Sequence, residues 1–158
     1  QARDQATLKE ALAQFSARYD AHKEDKTAAY PGMVDLIARL KAAGVNMAVL
    51  TNKADPMARP VVNAYYPGLF PTVQGALPGM PTKPDPTLLH KLMERMNATR
   101  ENTLFVGDSN VDIRTAKNGG LTGCGVLWGF RSRQELETEG ADVLVQTPEE
   151  LERVILGQ

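Results

Sequence analysis

Three short segments, far apart in the chain, carry side chains of the kinds that handle a phosphoryl group. They are Val49-Leu50-Thr51-Asn52-Lys53, Lys83-Pro84-Asp85-Pro86 and Gly107-Asp108-Ser109-Asn110-Val111-Asp112. They offer a hydroxyl, an ammonium and a pair of carboxylates, a set suited to holding a phosphate beside a divalent cation. Asp108 follows an apolar run and Asp112 stands four residues on. At a strand's carboxyl end, such a pair can hold a hard cation through one direct and one water-bridged contact. For Asp112, capping of the next helix is an equal alternative. Gly107 allows close backbone approach, and Ser109 can donate to a phosphate oxygen or orient a carboxylate. The Thr51 hydroxyl and the Asn52 amide can donate to phosphate oxygens, although Asn52 also suits a left-handed turn. Pro84 keeps the backbone before it extended, which would aim Lys83 rigidly into a site. Lys53 and Arg59 read as surface residues, and His22 and His90 as residues without a chemical role.

Positioning these groups falls to alternating helices and strands. Leu8, Leu12, Phe15 and Tyr19 recur at helical spacing over residues 6–20. A polar stretch over 22–27 and the turn Tyr30-Pro31-Gly32 follow, and mark a domain boundary. Met33, Leu36, Ile37 and Leu40 form a second helical stripe, stopped by Gly44. Strands are expected over 45–50, 72–77, 103–107, 124–128 and 143–145, with Gly75 weakening the second. Asp55-Pro56 and Asp85-Pro86 read as N-cap and first-turn pairs. Pro60 should kink the first of those helices or delay its start. The second carries Leu89, Leu92, Met93 and Met96 on one face, and a short helix over 112–117 ends at Asn118-Gly119-Gly120. Ser132-x-x-Glu135 and Thr147-x-x-Glu150 are capping boxes opening two further helices. Alternation with short connections implies a doubly wound α/β parallel sheet. In such sheets ligands bind outside the carboxyl ends of the strands, where Thr51, Lys83 and Asp108 are expected.

The bulk properties narrow the function classes. At 158 residues the chain is one domain, or a domain and a fragment. It is 42% hydrophobic and 23% charged, with a net charge of −1, which gives no support for a nucleic-acid or membrane-surface partner. No apolar run approaches the ~20 residues of a membrane span. Cys124, the single cysteine, excludes an internal disulfide, sits in an apolar run and fits a reducing, cytoplasmic compartment. Zinc-hydrolase, CxxC, serine-hydrolase and P-loop signatures are absent from the sequence. The sequence starts at Gln1, so a fragment or processed chain is expected.

The order Thr-Asn, Lys-Pro-Asp-Pro, Gly-Asp-Ser-x-x-Asp resembles the haloacid dehalogenase-like (HAD) hydrolase superfamily, and within it the phosphoglycolate phosphatase group. Tyr30-Pro31-Gly32 before a helix and Leu104-Phe105-Val106-Gly107-Asp108-Ser109 strengthen the likeness. The resemblance implies a HAD-like Rossmannoid core over 30–158, preceded over 1–29 by the last piece of a helical cap. It implies Thr51 as a phosphate ligand with Asn52 and Ser109 beside it. Lys83 would be the charge that stabilises the phosphoryl group, Asp108 a Mg2+ ligand, and Asp112 its support through water. The superfamily's first motif, a strand ending Asp-x-Asp-x-Thr that supplies nucleophile and general acid, does not occur. Asp20 and Asp25 do not sit on an apolar strand. The implied sheet therefore lacks its central strand, between those ending at Thr51 and Asp108. The expectation is a magnesium-dependent phosphatase for a small phosphorylated metabolite, working through an aspartyl phosphate and truncated at its N-terminus, with this chain alone inactive. Alternatives are a non-catalytic phosphatase-like binding module, and a mutase or pyrophosphatase of the same superfamily. The oligomeric state stays open.

Overall fold

The computed structural model describes residues 4–22 and 27–157. The elements run α1 (Gln5–His22), α2 (Met33–Ala42), β1 (Ala48–Ala54), α3 (Asp55–Tyr65), β2 (Thr72–Ala76), α4 (Thr87–Arg95), β3 (Leu104–Gly107), α5 (Asn110–Gly119), β4 (Thr122–Val126), α6 (Arg133–Thr138), β5 (Val143–Val145) and α7 (Pro148–Leu156). The alternation predicted from the pattern is present, with strand ends moved by at most four residues. Most of the polar stretch over 22–27 lies outside the described residues, as does the side chain of Tyr19.

All strand pairing is parallel, but the sheet is split in two. β1 pairs with β2, and β3, β4 and β5 form a second ladder in that order. Among the described residues no hydrogen-bonded ladder joins β1 to β3. This break falls where the central strand is expected. Val106, on β3, is left 38% exposed there, although it belongs to an apolar strand.

The halves are held together by helix layers. On one side Leu36, Ile37 and Leu40 of α2 and Leu151 of α7 bury against Cys124, Val126 and Val145. Met47, Tyr66, Leu69 and Phe70, from around β1 and α3, pack on the same cluster. On the other side Leu89 and Met93 of α4 meet Ala116 and Leu121, with Leu50 of β1 and Phe105 of β3 packed against them. Each fully buried leucine contributes roughly 1.5–3 kcal/mol, so two clusters can bridge the break without backbone pairing. The apolar stripe of α1 differs: Leu8, Leu12 and Phe15 are 43%, 63% and 65% exposed.

Local chemistry explains several departures from the predicted pattern. Asp55 is the first residue of α3, with Ala54 in the cap position. Its carboxylate accepts from Gly75 N (2.9 Å) and Arg59 Nε (3.0 Å), fastening β2 to the start of α3. Gly75 must be glycine there, because a Cβ would run into the Asp55 backbone. α3 runs through Pro60. α4 starts at Thr87, so Pro86 takes the cap position expected of Asp85, which stands one residue further out and accepts from Thr87 N at 2.8 Å. The Ser132–Glu135 capping box is complete. At α7 only half of the predicted box forms: Thr147 Oγ1 accepts from Glu150 N, but the Glu150 carboxylate turns back to Gln146 N at 2.7 Å. Cys124 is fully buried, and burial pushes its thiol pKa up to about 11, so it is unreactive.

Candidate functional site

The site starts with an irregularity in β1. Leu50 pairs with Gln74 and Ala54 with Ala76, so Thr51, Asn52 and Lys53 stand opposite Gly75 alone. The extra residues bulge out of the ladder, a device that re-aims side chains. The sequence pattern ended the strand at Leu50, whereas the ladder resumes at Ala54. Thr51 Oγ1 accepts from Lys53 N at 3.1 Å. The Asn52 amide reaches the loop before α4, where Nδ2 donates to Lys83 O (3.0 Å) and Oδ1 accepts from Lys83 N (2.8 Å).

Lys83 is fixed at its other end as well. Its Nζ donates to Asp112 Oδ1 at 2.6 Å, and the two side chains are only 14% and 10% exposed. The ammonium also lies 5.8 Å from the centroid of the Phe105 ring. The Lys83–Pro84 peptide is cis.

Asp112 is held by the start of α5. Ser109 is the N-cap, its Oγ accepting from Asp112 N (3.3 Å). Asp112 Oδ2 in turn accepts from Ser109 N (3.1 Å) and Ser109 Oγ (2.6 Å). This box places negative charge at the positive end of α5. Gly107 makes room for it, since a Cβ would collide with the Asp112 side chain.

Asp108 is held from the other side. Its Oδ2 accepts from Phe130 N (3.0 Å) and its main-chain oxygen from Arg131 N (3.1 Å). Gly129 passes so close that a Cβ would strike the Asp108 side chain. Two glycines, one before α5 and one after β4, thus leave space for two carboxylates.

Lys83, Asp108 and Asp112 line one cleft of about 280 Å3, over an apolar floor that includes Val106, Val126 and Trp128. The cleft lies along β3, on the strand left partly exposed by the break. Thr51 is not among its lining residues. Ser109 and Asn52 stand one hydrogen bond behind it. Three expected roles look different in this geometry. The Ser109 hydroxyl is engaged by Asp112. Both polar atoms of the Asn52 amide are engaged by Lys83. Both oxygens of Asp112 already accept hydrogen bonds. His90, read as having no chemical role, contacts Gly119 O at 3.3 Å and takes no part in the cleft. Sequence reasoning missed Gly129 and Phe130 as the support of Asp108. It also missed Asn118, whose Nδ2 donates to Pro84 O at 2.9 Å. A glycine soon after a strand end was the available signal for the first. Asn118, next to Gly119-Gly120, reads in sequence as part of a helix stop.

A hard divalent cation prefers carboxylate oxygens, and the donors here fit in kind. They do not fit in number. Among the described residues no group of three His, Cys, Asp or Glu side chains is placed to hold a metal. Asp108 Oδ1 accepts no hydrogen bond from the described residues, which makes Asp108 the available ligand.

Parallel α/β ladders between two helix layers, with a charged cleft at the strand ends, define a Rossmann-like α/β protein. The chain belongs to the haloacid dehalogenase-like hydrolase family, whose family model matches residues 1–126. It is 32% identical over 143 residues to a phosphoglycolate phosphatase of Pseudomonas putida, covering 90% of this chain and 52% of the relative. It is 30% identical to the Escherichia coli K12 phosphoglycolate phosphatase, covering 87% of this chain and 55% of that protein. A crystal structure of a Lactobacillus delbrueckii subsp. bulgaricus protein assigned as a phosphoglycolate phosphatase superposes with a TM-score of 0.90 at 35% identity, over 98% of this chain and 65% of the other. The chain spans about half the length of the curated relatives it matches. Among the described residues no helix is long and apolar enough to cross a membrane.

Proposed function

We propose that this chain forms part of a magnesium-dependent phosphatase for a small phosphomonoester of the phosphoglycolate kind. The observation that carries the reading is the convergence of Lys83, Asp108 and Asp112 in one cleft beside the break between β1 and β3. In this reading a strand carrying the nucleophilic carboxylate fills the break, in parallel with β1 and β3. The cleft floor is apolar where such a strand would pack, and polar where its carboxyl end would lie.

The roles follow from the chemistry of each group. Asp108 is the metal ligand that this chain supplies, and the remaining ligands come from outside the described residues. Bound there, magnesium would neutralise phosphoryl oxygens and polarise the phosphorus centre. Lys83 places a fixed positive charge against the transferring group. Asp112 holds the lysine in place and is not itself free to coordinate. Thr51 stands outside the lining of this cleft, and its hydroxyl, which accepts from Lys53 N, keeps a proton to donate to a phosphate oxygen held between the cleft and β1. The nucleophile forms a bond to phosphorus as the alcohol leaves, and water then cleaves the aspartyl phosphate to release inorganic phosphate. Residues 1–29 would be the end of a helical cap over a core spanning 30–158. The exposed apolar stripe of α1 supports that division. A reducing, cytoplasmic setting accords with the buried, unreactive Cys124.

The test is a hydrolysis screen of phosphorylated metabolites with the full-length protein, run with magnesium and with a chelator. Release of inorganic phosphate from phosphoglycolate, abolished by the chelator and by Asp108→Asn, is the expected result. Isomerised sugar phosphates without release would replace the hydrolase reading with a mutase. Phosphate binding without turnover would replace it with a binding module.

A further inference from the structure

Lys83 stands at a mechanical crossing point. Its loop is held by groups from two ladders that, among the described residues, are not joined to each other by strand pairing. From the β1 side, Asn52 uses donor and acceptor together on the Lys83 main chain, at 3.0 and 2.8 Å. From the β3 side, Asn118 near the end of α5 donates to Pro84 O at 2.9 Å, and Asp112 at its start takes the ammonium at 2.6 Å. The bulge that lifts Asn52 out of the β1 ladder is what lets its amide reach across.

We infer that Asn52 is a positioning residue that acts through Lys83, not a ligand of the phosphate. Lysine has a flexible four-carbon stem and a point charge with no directional fork, so its placement depends on where the backbone holds its Cα. An amide is the side chain for this task because it presents one donor and one acceptor side by side, as a neighbouring strand would. Asn52 therefore extends the β1 edge by one two-bond pairing, and sets Lys83 relative to Thr51. Asn118 supports the same loop from α5, so that the lysine keeps its distance from both half-sheets. This inference rests on the phosphatase reading for its effect on turnover, but not for the clasp itself.

The experiment is a double-mutant cycle in the full-length protein. Asn52→Ala alone should lower kcat by about tenfold or more, since small misplacement of a catalytic group is costly, and should change KM little. In a Lys83→Ala background the same substitution should change kcat by less than twofold, because the group it positions is gone. Asn52→Asp keeps the acceptor toward Lys83 N and loses the donor, and should fall between the two single-site extremes. Independent, multiplicative losses would mean that Asn52 touches substrate itself or acts by general destabilisation, and would overturn the inference. Amide hydrogen exchange by NMR gives a second measurement. Asn52→Ala should deprotect the Lys83 amide while amides of β3 and β4 keep their protection. An unchanged Lys83 amide would overturn the clasp. If the wild-type protein hydrolyses no phosphomonoester, the phosphatase reading fails by itself, and the clasp stands or falls on that amide.

Discussion

Replacing Lys83 by methionine separates what the lysine does for stability from what it does for turnover. A lysine in an open site would leave folding untouched. The structure instead gives it a partner at 2.6 Å, with both side chains largely withdrawn from water. At an effective dielectric near 20, the gross attraction at that distance is about 6 kcal/mol. Desolvation of two ions removes much of it, so the net value of the pair is small. The cost of removing one partner is larger, because Asp112 then stays buried with its charge unmatched. For a fully buried pair this loss is roughly 3–5 kcal/mol. Asp112 keeps two hydrogen bonds from Ser109, and methionine keeps an unbranched apolar stem of similar length in place of the lysine's. We therefore expect about 2–3 kcal/mol, from the penalty for an under-satisfied buried charge. Urea unfolding at neutral pH should show it as a lower midpoint with an unchanged slope. The double variant Lys83→Met/Asp112→Asn should be more stable than the sum of its parts. Turnover should fall about 10²-fold or more in both. A single variant within about 0.5 kcal/mol of wild type, the ordinary range for a surface change, would show that the pair is not held as described.

Other consequences can be measured separately. Asp108→Asn should weaken magnesium binding in calorimetric titration and abolish turnover, while leaving the fold intact. Gly129→Ala forces a Cβ into the Asp108 side chain, so it should cost about 1–3 kcal/mol of stability and mimic Asp108→Asn in the titration. The Gly75 amide and then Arg59 hold the Asp55 carboxyl below its ordinary range. Its stabilising contribution is thus complete above the unfolded value of about 3.9 and is lost as pH falls through the lower folded value. Asp55→Asn should therefore destabilise the protein at pH 7 and flatten the pH dependence of stability below about pH 4, read from urea midpoints across that range. Cys124 should resist thiol reagents in the native state and react only on unfolding, as its burial dictates.

How much of this was legible in the sequence depends on how local the signal was. Helices with clear stripes, such as Met33 to Leu40, and the strand Val143 to Val145 are set by neighbours within a few residues, and the pattern finds them. The Ser132–Glu135 box is equally local. The convergence of Thr51, Lys83 and Asp108, expected because strand carboxyl ends share one edge of a parallel sheet, is legible in part: Lys83 and Asp108 line one cleft with Asp112, and Thr51 is not among its lining residues. The ion pair between Lys83 and Asp112 was not readable, since it joins residues 29 apart in sequence. Nor was the use of Asn52, whose partner is a backbone and leaves no trace in residue types. Asp55 misled for a physical reason. An aspartate before proline signals a cap, but a free amide on the adjacent strand competed for the carboxylate and won.

The break between β1 and β3 has a consequence for how the fold could be dissected. Among the described residues β1 and β3 each have a paired neighbour on one side only, and Leu50 and Phe105 already pack on the same core cluster. A strand arriving there would gain two sets of backbone partners at once and cover Val106. In the phosphatase reading proposed above, that is the arrangement a split enzyme requires: one piece that keeps its packing, and another whose arrival completes the chemistry. Supplied in trans, a peptide of that kind would turn phosphate release into a readout of its own docking.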